Sequence, residues 1–378
     1  MLSLVIPVFN EKDNIGELVR RIEGTLSERD YEIIFVDDST DNTPQVIAIE
    51  AQKNPRIKLI HREGKNGLAS AVLDGFKQAE GNVLAVMDGD LQHPPELLLT
   101  MLNGIDQGAD LVIPSRFIKG GHDGGLNSFR KLVSATARYM GKVLFKGLRR
   151  VSDHTGGMFM LKKEVISGVS LKPVGWKILM EILVLGQYKT MLEIPYTFDA
   201  RNLGQSKLSF KVQLEYLWHL LSLLKRSEQD RRFYVFCLVG FSGVLVDMMI
   251  FTLLSKHYSA LSVNGRAVIS SLCAMTSNYI LNNFFTWRDY APAPLNYKVF
   301  VTNLRRFSKY LLVSFSGIVI KSVILFLLYS GLGMNKYLGN LIAIACASFS
   351  NYFLSKSWVW RKVKSRPTLY HQSDNMKM

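Results

Sequence analysis

Apolar runs and helical spacings alternate along the first half of the chain. Leu2 to Val8 is an almost wholly apolar run closed by Phe9-Asn10-Glu11, after which Ile15, Leu18, Val19 and Ile22 recur on one helix face. The same pair of signals returns at 32–36, followed by Asp37-Asp38-Ser39 and a helix that ends before Pro55. It returns again at 57–60, followed by Gly67 and a helix to Ala79, and opens once more at 83–87, a strand whose exit is forced by Pro94-Pro95. This alternation predicts an α/β fold, a mostly parallel sheet with helices on both faces, because a parallel connection must cross over the sheet. Near residue 230 the pattern changes to long apolar runs. Four of them, 233–254, 262–285, 310–329 and 337–359, each approach the ~20 residues a bilayer core requires, which predicts an all-α four-helix transmembrane domain. Two stretches are amphipathic: 128–150, with Leu132, Tyr139 and Phe145 among Arg138, Lys142 and Arg149, and 208–224, rich in Leu, Tyr and Trp. Both suit the headgroup plane. The expected organisation is 1–208, a catalytic domain; 209–230, an interfacial helix and linker; 231–362, the transmembrane domain; and 363–378, a basic and polar tail.

The apolar half contains a repeat. LVGFSGVLVD, 238–247, and LVSFSGIVIK, 312–321, match nearly position for position, as do the segments from Ser277 to Trp287 and from Ser350 to Trp360. Each repeat reads as a helical hairpin, its second helix carrying asparagines such as Asn278 and Asn351 that suit the bundle interior. Asp247 and Lys321 occupy equivalent mid-span positions with opposite charge. An ion pair between them is expected, since a lone ionised group at that depth costs ~2.5–3.5 kcal/mol.

Charge refines this picture. The 46 Lys and Arg against 31 Asp and Glu leave a net +15, concentrated beside the apolar helices at Arg231-Arg232, Arg305-Arg306 and 361–366. That placement fits an anionic membrane face and argues against nucleic acid as a partner. The positive-inside rule puts both termini and the middle linker in the cytoplasm, and a chain that enters a strand at once, with no charged leader, is expected to keep its first domain there. Cys237, Cys273 and Cys346 show neither zinc nor disulfide spacing and read as packers among lipid.

Ligands of parallel sheets bind beyond the carboxyl ends of the strands, so Phe9-Asn10-Glu11, Asp37-Asp38 and Asp88-Gly89-Asp90 are expected to share one crevice. Asp88, Asp90 and Gln92 alternate, which can turn three oxygen donors to one side, and Mg²⁺ characteristically takes one or two carboxylates together with phosphate oxygens. Arg116, Arg130, Lys131, Arg201 and Lys207 supply cations, and Arg matches phosphate bidentately. His154 reads as a packing residue, and His61, His93 and His122 form no spaced cluster.

IPVFNE, VDDST, GLASAVLDGF and above all MDGDLQHPPE resemble the family 2 glycosyltransferases that make dolichyl- or polyprenyl-phosphate mannose, over most of residues 1–225, and 231–362 resembles GtrA-type membrane domains. The resemblance implies a GT-A fold, with Asp88, Asp90 and Gln92 holding Mg²⁺ or Mn²⁺ on the donor diphosphate and a hexose passing with inversion to a polyprenyl or dolichyl phosphate. It also implies that Pro7, Phe9, Glu11, Val36 and Asp38 contact the nucleoside, beside the diphosphate site of Asp88, Gly89 and Asp90. Arg116, Arg130, Lys131 and Arg201 fall to the acceptor phosphate, Arg201 and Lys207 also to the donor, and Asp90, Arg116 and Arg130 to catalysis. Phe9 stands where many members have Tyr, which keeps a stacking surface and removes a hydroxyl. The HPPE ending favours mannose from GDP-mannose; the alternative is glucose from UDP-glucose. A processive polysaccharide synthase would show QxxRW, and 214–218 offers nothing comparable; a non-enzymatic lipid translocator has no reason to keep Asp88 and Asp90.

Overall fold

The structure is a computed structural model that describes residues 1–64, 67–122, 128–175, 177–198, 210–258, 260–290 and 297–361; for 128–133, 210–213, 297–300 and 336 the description is of backbone alone. The chain divides into two compact units, Met1–Asp230 and Arg231–Met378.

The first unit is built on one sheet of seven strands: β1 (Leu2–Val8), β2 (Tyr31–Asp37), β3 (Ile57–His61), β4 (Val83–Val86), β5 (Leu111–Ser115), β6 (Phe159–Lys162) and β7 (Met191–Pro195), in the order β3-β2-β1-β4-β6-β5-β7. Every side chain of β1 and β2 is buried, and successive residues feed opposite cores. Val5, Ile34 and Val36 pack with α3 (Leu68–Gln78), whereas Leu4, Ile6, Ile33 and Phe35 pack with α1 (Lys12–Thr25) and α4 (Leu97–Asp106). A Cβ on Gly75 would lie 2.3 Å from Val5 Cγ1, so only glycine lets α3 settle on β1. Between β2 and β3 runs α2 (Thr43–Lys53). The parallel pattern expected from the alternation holds for β1 to β4, but β6 enters antiparallel to both β4 and β5. It returns after α5 (Ser128–Leu144), and only four residues long it carries no periodic signal of its own. After α6 (Ile178–Leu185) the sheet closes on β7, parallel to β5. Strand order reverses at β1, with β2 on one side and β4 on the other, so the carboxyl ends of these strands frame the crevice.

The helix α7 (Phe210–Arg226) lies within the compact unit Met1–Asp230 and packs on its α/β core. Its Tyr216, Leu220 and Leu223 are buried in the core, the Tyr216 hydroxyl donates to the Ala137 carbonyl of α5 at 2.6 Å, and Arg226 Nη1 donates to the fully buried Glu181 of α6 at 3.0 Å. Its other face leaves Leu214, Leu217, Trp218 and Leu221 exposed, Trp218 by 63%.

The second unit comprises α8 (Glu228–His257, whose first turn belongs to the first unit), α9 (Val263–Leu281), α10 (Tyr297–Phe326) and α11 (Lys336–Leu354). Three described helices are long and apolar enough to cross a membrane: Glu228–His257, Val301–Gly331 and Tyr337–Val359. The fourth expected span falls on α9, whose hydropathy Arg266, Ser270, Ser271, Thr276, Ser277 and Asn278 dilute. The repeat is visible in three dimensions. Cβ atoms on Gly243 and Gly317, equivalent residues, would lie 2.2 and 2.4 Å from the amide nitrogens of Asn278 and Asn351, so each hairpin closes by seating an asparagine on a glycine. Trp287 stacks on Trp360 with centroids 5.5 Å apart and 13° between planes, flanked by Tyr352 on Trp287 and by Tyr279 on Trp360 at 5.8 Å each. π-helical turns, Asn282–Thr286 and Ser355–Val359, deliver both tryptophans to this stack. The expected Asp247–Lys321 pair is not formed; Asp247 instead accepts a hydrogen bond from Ser271 Oγ of α9, 3.1 Å away within its own hairpin. The hairpins meet through these aromatic rings, which leaves the two charges without a shared contact.

Candidate active site

The turn after β4 sets Asp88, Gly89 and Asp90 at the reversal of the sheet. Gly89 is buried, and a Cβ there would stand 2.8 Å from Val8 Cγ1, so glycine lets the turn lie against the end of β1. Leu91 adopts φ 59°, a left-handed conformation that costs a non-glycine residue ~1–2 kcal/mol. The turn so formed lets the Gln92 amide donate to Asp90 Oδ1 at 3.2 Å. Gly157, just before β6, faces Asp88 from across the crevice; a Cβ there would lie 2.5 Å from Asp88 Oδ2. His93 is buried beside them, Nδ1 3.6 Å from Asp88 Oδ2, stacked on Tyr196 at 5.6 Å and edge-on to Phe198 at 5.4 Å. Neither ring nitrogen has a hydrogen-bond partner, and desolvation lowers its pKa. Among the described residues no three His, Cys, Asp or Glu side chains gather into a closed metal cage.

The β1 and β2 ends form the adjoining wall. Pro7 and Val36 stand opposite each other in register and are buried, the Val36 side chain in the core shared with α3. Phe9 is half-buried. Asn10, at φ 59°, ties the two loops together: its amide donates to Ser39 Oγ at 2.8 Å, and its Oδ1 accepts from the Thr40 amide at 2.9 Å. The Glu11 amide donates to Thr43 Oγ1 at 3.1 Å while its carboxylate accepts from Asn14 Nδ2 at 2.5 Å. Asp38 is held by Arg62, whose Nε donates to Oδ1 at 2.8 Å; both side chains are at most one-tenth exposed, and the same guanidinium reaches Asp74 at 3.1 Å. Nothing in the sequence marks Arg62 beyond its position one residue past β3.

Arg116, at the end of β5, is gripped by the fully buried Asp153: Nε donates to Oδ2 at 2.7 Å and Nη2 to Oδ1 at 3.0 Å. Burial pushes the Asp153 carboxyl up, but the Arg116 hydrogen bonds and charge outweigh it and leave the pKa below the usual value. The Arg138 guanidinium lies 3.5 Å over the Phe117 ring. Lys177 has its pKa drawn down to about 8, chiefly by desolvation. His154 is fully buried, neither ring nitrogen has a hydrogen-bond partner, and burial and the charge of Lys142 lower its pKa to about 4. A Cβ on Gly141 would lie 2.8 Å from His154 Nε2, so the imidazole fills the space that glycine leaves on α5, the packing role expected of it. Arg130 and Lys131 lie on α5 with their side chains outside the described residues, and Arg201 and Lys207 lie outside them altogether. Asp153, His93, Tyr196, Phe198 and Lys177 are the site residues that the sequence did not single out; only the position of Asp153, immediately before His154-Thr155-Gly156-Gly157, offered a signal.

Residues 3–169 match the glycosyl transferase family 2 model, and 235–360 match the GtrA/DPMS transmembrane domain. A dolichol-phosphate mannosyltransferase from Pyrococcus furiosus is 35% identical over 365 residues, covering 95% of this chain and 99% of the relative. The dolichol-phosphate mannosyltransferase of Saccharomyces cerevisiae is 34% identical over 234 residues, 58% of this chain and 86% of its own length. Among solved structures, a mannosyltransferase from Pyrobaculum calidifontis in complex with GDP-Man and Mn²⁺ aligns over 94% of this chain and 87% of its own at 14% identity and a TM-score of 0.40, too distant to carry a functional argument. The similarity supports the mannosyl reading and not the UDP-glucose alternative. An identity sustained from the first strand to the last apolar helix places the chain among the dolichol-phosphate mannosyltransferases, membrane-bound glycosyltransferases of family 2.

Proposed function

We propose that the crevice takes GDP-mannose and that the chain transfers its mannose, with inversion, to dolichyl or polyprenyl phosphate at the membrane surface. The observation that carries this reading is the arrangement of Asp88 and Asp90 on a strained turn at the sheet's reversal point, with the Asp88 carboxylate seated against Gly157, where a Cβ would lie 2.5 Å from Oδ2. Two carboxylates and an amide oxygen are hard donors of the kind that Mg²⁺ takes together with phosphate oxygens. Asp88, Asp90 and Gln92 would hold Mg²⁺ or Mn²⁺, which supplies positive charge to the departing nucleoside diphosphate.

The remaining work falls to the protein's own groups. A phosphate monoester with a second pKa of ~6 is already largely dianionic at neutral pH, so the acceptor needs no general base. It needs cations in fixed positions. Asp153 holds the Nε–Nη2 edge of Arg116 and so sets the plane in which the guanidinium meets the acceptor phosphate. Arg130, Lys131, Arg201 and Lys207 complete the cationic set in this reading. Arg62 orients Asp38 toward the nucleoside, and Phe9 offers its ring. Pro7, Glu11 and Val36 shape the same wall, Val36 through its main chain. The exposed apolar face of α7, with Trp218 and Leu221, enters the headgroup layer and brings the crevice to the acceptor. By the distribution of Lys and Arg, this unit and both termini lie on the cytoplasmic side, with α9 as a fourth span.

The test is transfer of label from GDP-mannose and, in parallel, from UDP-glucose to polyprenyl phosphate by the purified chain, with Mg²⁺, Mn²⁺ or chelator. Transfer from GDP-mannose alone, lost on chelation and restored by either ion, is expected. Metal-independent transfer, or equal use of both donors, would overturn the assignment.

A further inference from the structure

The membrane unit carries a groove of its own. About 760 Å³ in volume, it lies between the start of α8 and the end of α9 and is ringed by Arg231, Arg232 and Arg288, with Val235, Phe284 and Phe285 among its apolar walls. Arg232 is engaged with Asp289, Nη2 to Oδ2 at 2.6 Å, and donates to the Tyr290 hydroxyl at 3.2 Å. Arg231 and Arg288 are exposed and no ion pair among the described residues involves them. The lining runs along α8 from Arg231 to Ser242, about 16 Å of helix at ~1.5 Å per residue. It therefore begins at a ring of cations and ends well inside an apolar span.

The second hairpin carries the same cations but differs between them. Arg231, Arg232 and Arg288 recur there as Arg305, Arg306 and Arg361, so the cations are common to both repeats. Val235 and Phe285 recur as Lys309 and Trp358, and these two meet: Lys309 Nζ lies 5.5 Å from the Trp358 ring centroid, across the equivalent space. One scaffold, duplicated, is thus bridged in one copy and left open and uncharged along its floor in the other.

We propose that the open groove binds a lipid phosphate, the phosphate seated on Arg231 and Arg288 and the chain along Val235, Phe284 and Phe285. Guanidinium groups match phosphate oxygens two at a time, and a basic pocket at the end of paired membrane helices selects an anionic headgroup. The apolar wall requires a chain attached to that phosphate and so distinguishes a lipid from free phosphate. The test of this site reads binding, not turnover.

Native mass spectrometry of the full chain in detergent, titrated with dioleoyl phosphatidic acid, measures it. The exposed pair Arg231→Gln/Arg288→Gln should weaken binding at least ~10-fold. Val235→Lys copies the lysine that meets Trp358 in the second hairpin and should weaken it as strongly although it adds a positive charge, whereas Val235→Leu should retain it. Binding by Val235→Lys that equals or exceeds wild type would mean the cations act only as a diffuse belt and would overturn the proposal. Unchanged binding by the double arginine variant, equal retention of dioleoyl phosphatidylcholine, or displacement of the lipid by millimolar inorganic phosphate would overturn it as well.

Discussion

Gly157→Ala separates the position of Asp88 from the integrity of the fold. Gly157 does not have positive φ, so alanine is acceptable to the backbone and the only conflict is steric. The new methyl carbon would start 2.5 Å from Asp88 Oδ2, short by 0.9 Å of the 3.4 Å at which ordinary contact begins. The atom it meets ends a side chain that is 29% exposed and can rotate, so the loss of stability is expected to be about 1 kcal/mol. Activity should respond differently. If Asp88 positions the donor diphosphate as proposed, a displacement approaching 1 Å costs ~10²-fold, equivalent to ~2.7 kcal/mol in the barrier. The assay is mannosyl transfer under saturating lipid phosphate, with melting measured on the same preparation. Gly156→Ala is the control, because its methyl would meet nothing closer than 3.7 Å, and it should match wild type in both measurements. A Gly157→Ala enzyme that keeps more than about a third of wild-type kcat/KM would show that Asp88 is not held where the chemistry needs it.

Asp90→Asn should reduce transfer by ~10²-fold or more with melting unchanged, since it removes the charge proposed to serve the diphosphate and creates no cavity; a loss of less than ~10-fold would remove Asp90 from the site. Arg62→Ala leaves the Asp38 carboxylate nearly buried and unpaired, and should destabilise the first unit by ~3 kcal/mol in denaturant titration, whereas a loss below ~1 kcal/mol would show Asp38 to be solvated in some other way. His154 has a pKa near 4 in the fold against 6.5 when free, so the unfolded chain binds its proton first as pH falls. Stability is full above pH 6.5 and should decline by about 3 kcal/mol as pH falls toward 4. His154→Asn should flatten that part of the pH profile, and an unaltered slope would trace it to other groups.

The elements legible in the sequence were those with a period. Ile15, Leu18, Val19 and Ile22 announce α1, and the strands preceding Phe9, Asp38 and Asp88 place those residues at one edge of the sheet. What remained hidden depends on contacts between distant segments. Arg62 reaches Asp38 from 24 residues away and Asp153 reaches Arg116 from 37, and neither spacing has a local signature. β6 is invisible for a different reason: three apolar residues and a lysine can serve a strand of either direction, and only their place between β4 and β5 decides. The opposite charges at Asp247 and Lys321 suggested an interface, but ring stacking set it elsewhere, and Ser271 was near enough to satisfy the carboxylate. On α7 the sequence shows apolar residues at helical spacing, but which of them face the core and which stay exposed is decided by the packing of Tyr216, Leu220 and Leu223.

The four-ring stack in the membrane unit has a consequence for how such a unit could arise. Each hairpin contributes one Trp and one Tyr, and each Trp is covered on one side by the other hairpin's Trp and on the opposite side by the other hairpin's Tyr. A single hairpin therefore presents half of a self-complementary surface, the condition for an isologous dimer. Expressed alone, residues 228–290 should assemble in pairs, with Trp287 against its own copy, and the near-parallel indoles should give a split near-ultraviolet circular dichroism band that Trp287→Leu abolishes. The covalent link between the repeats then replaces an association that depends on concentration with one that does not.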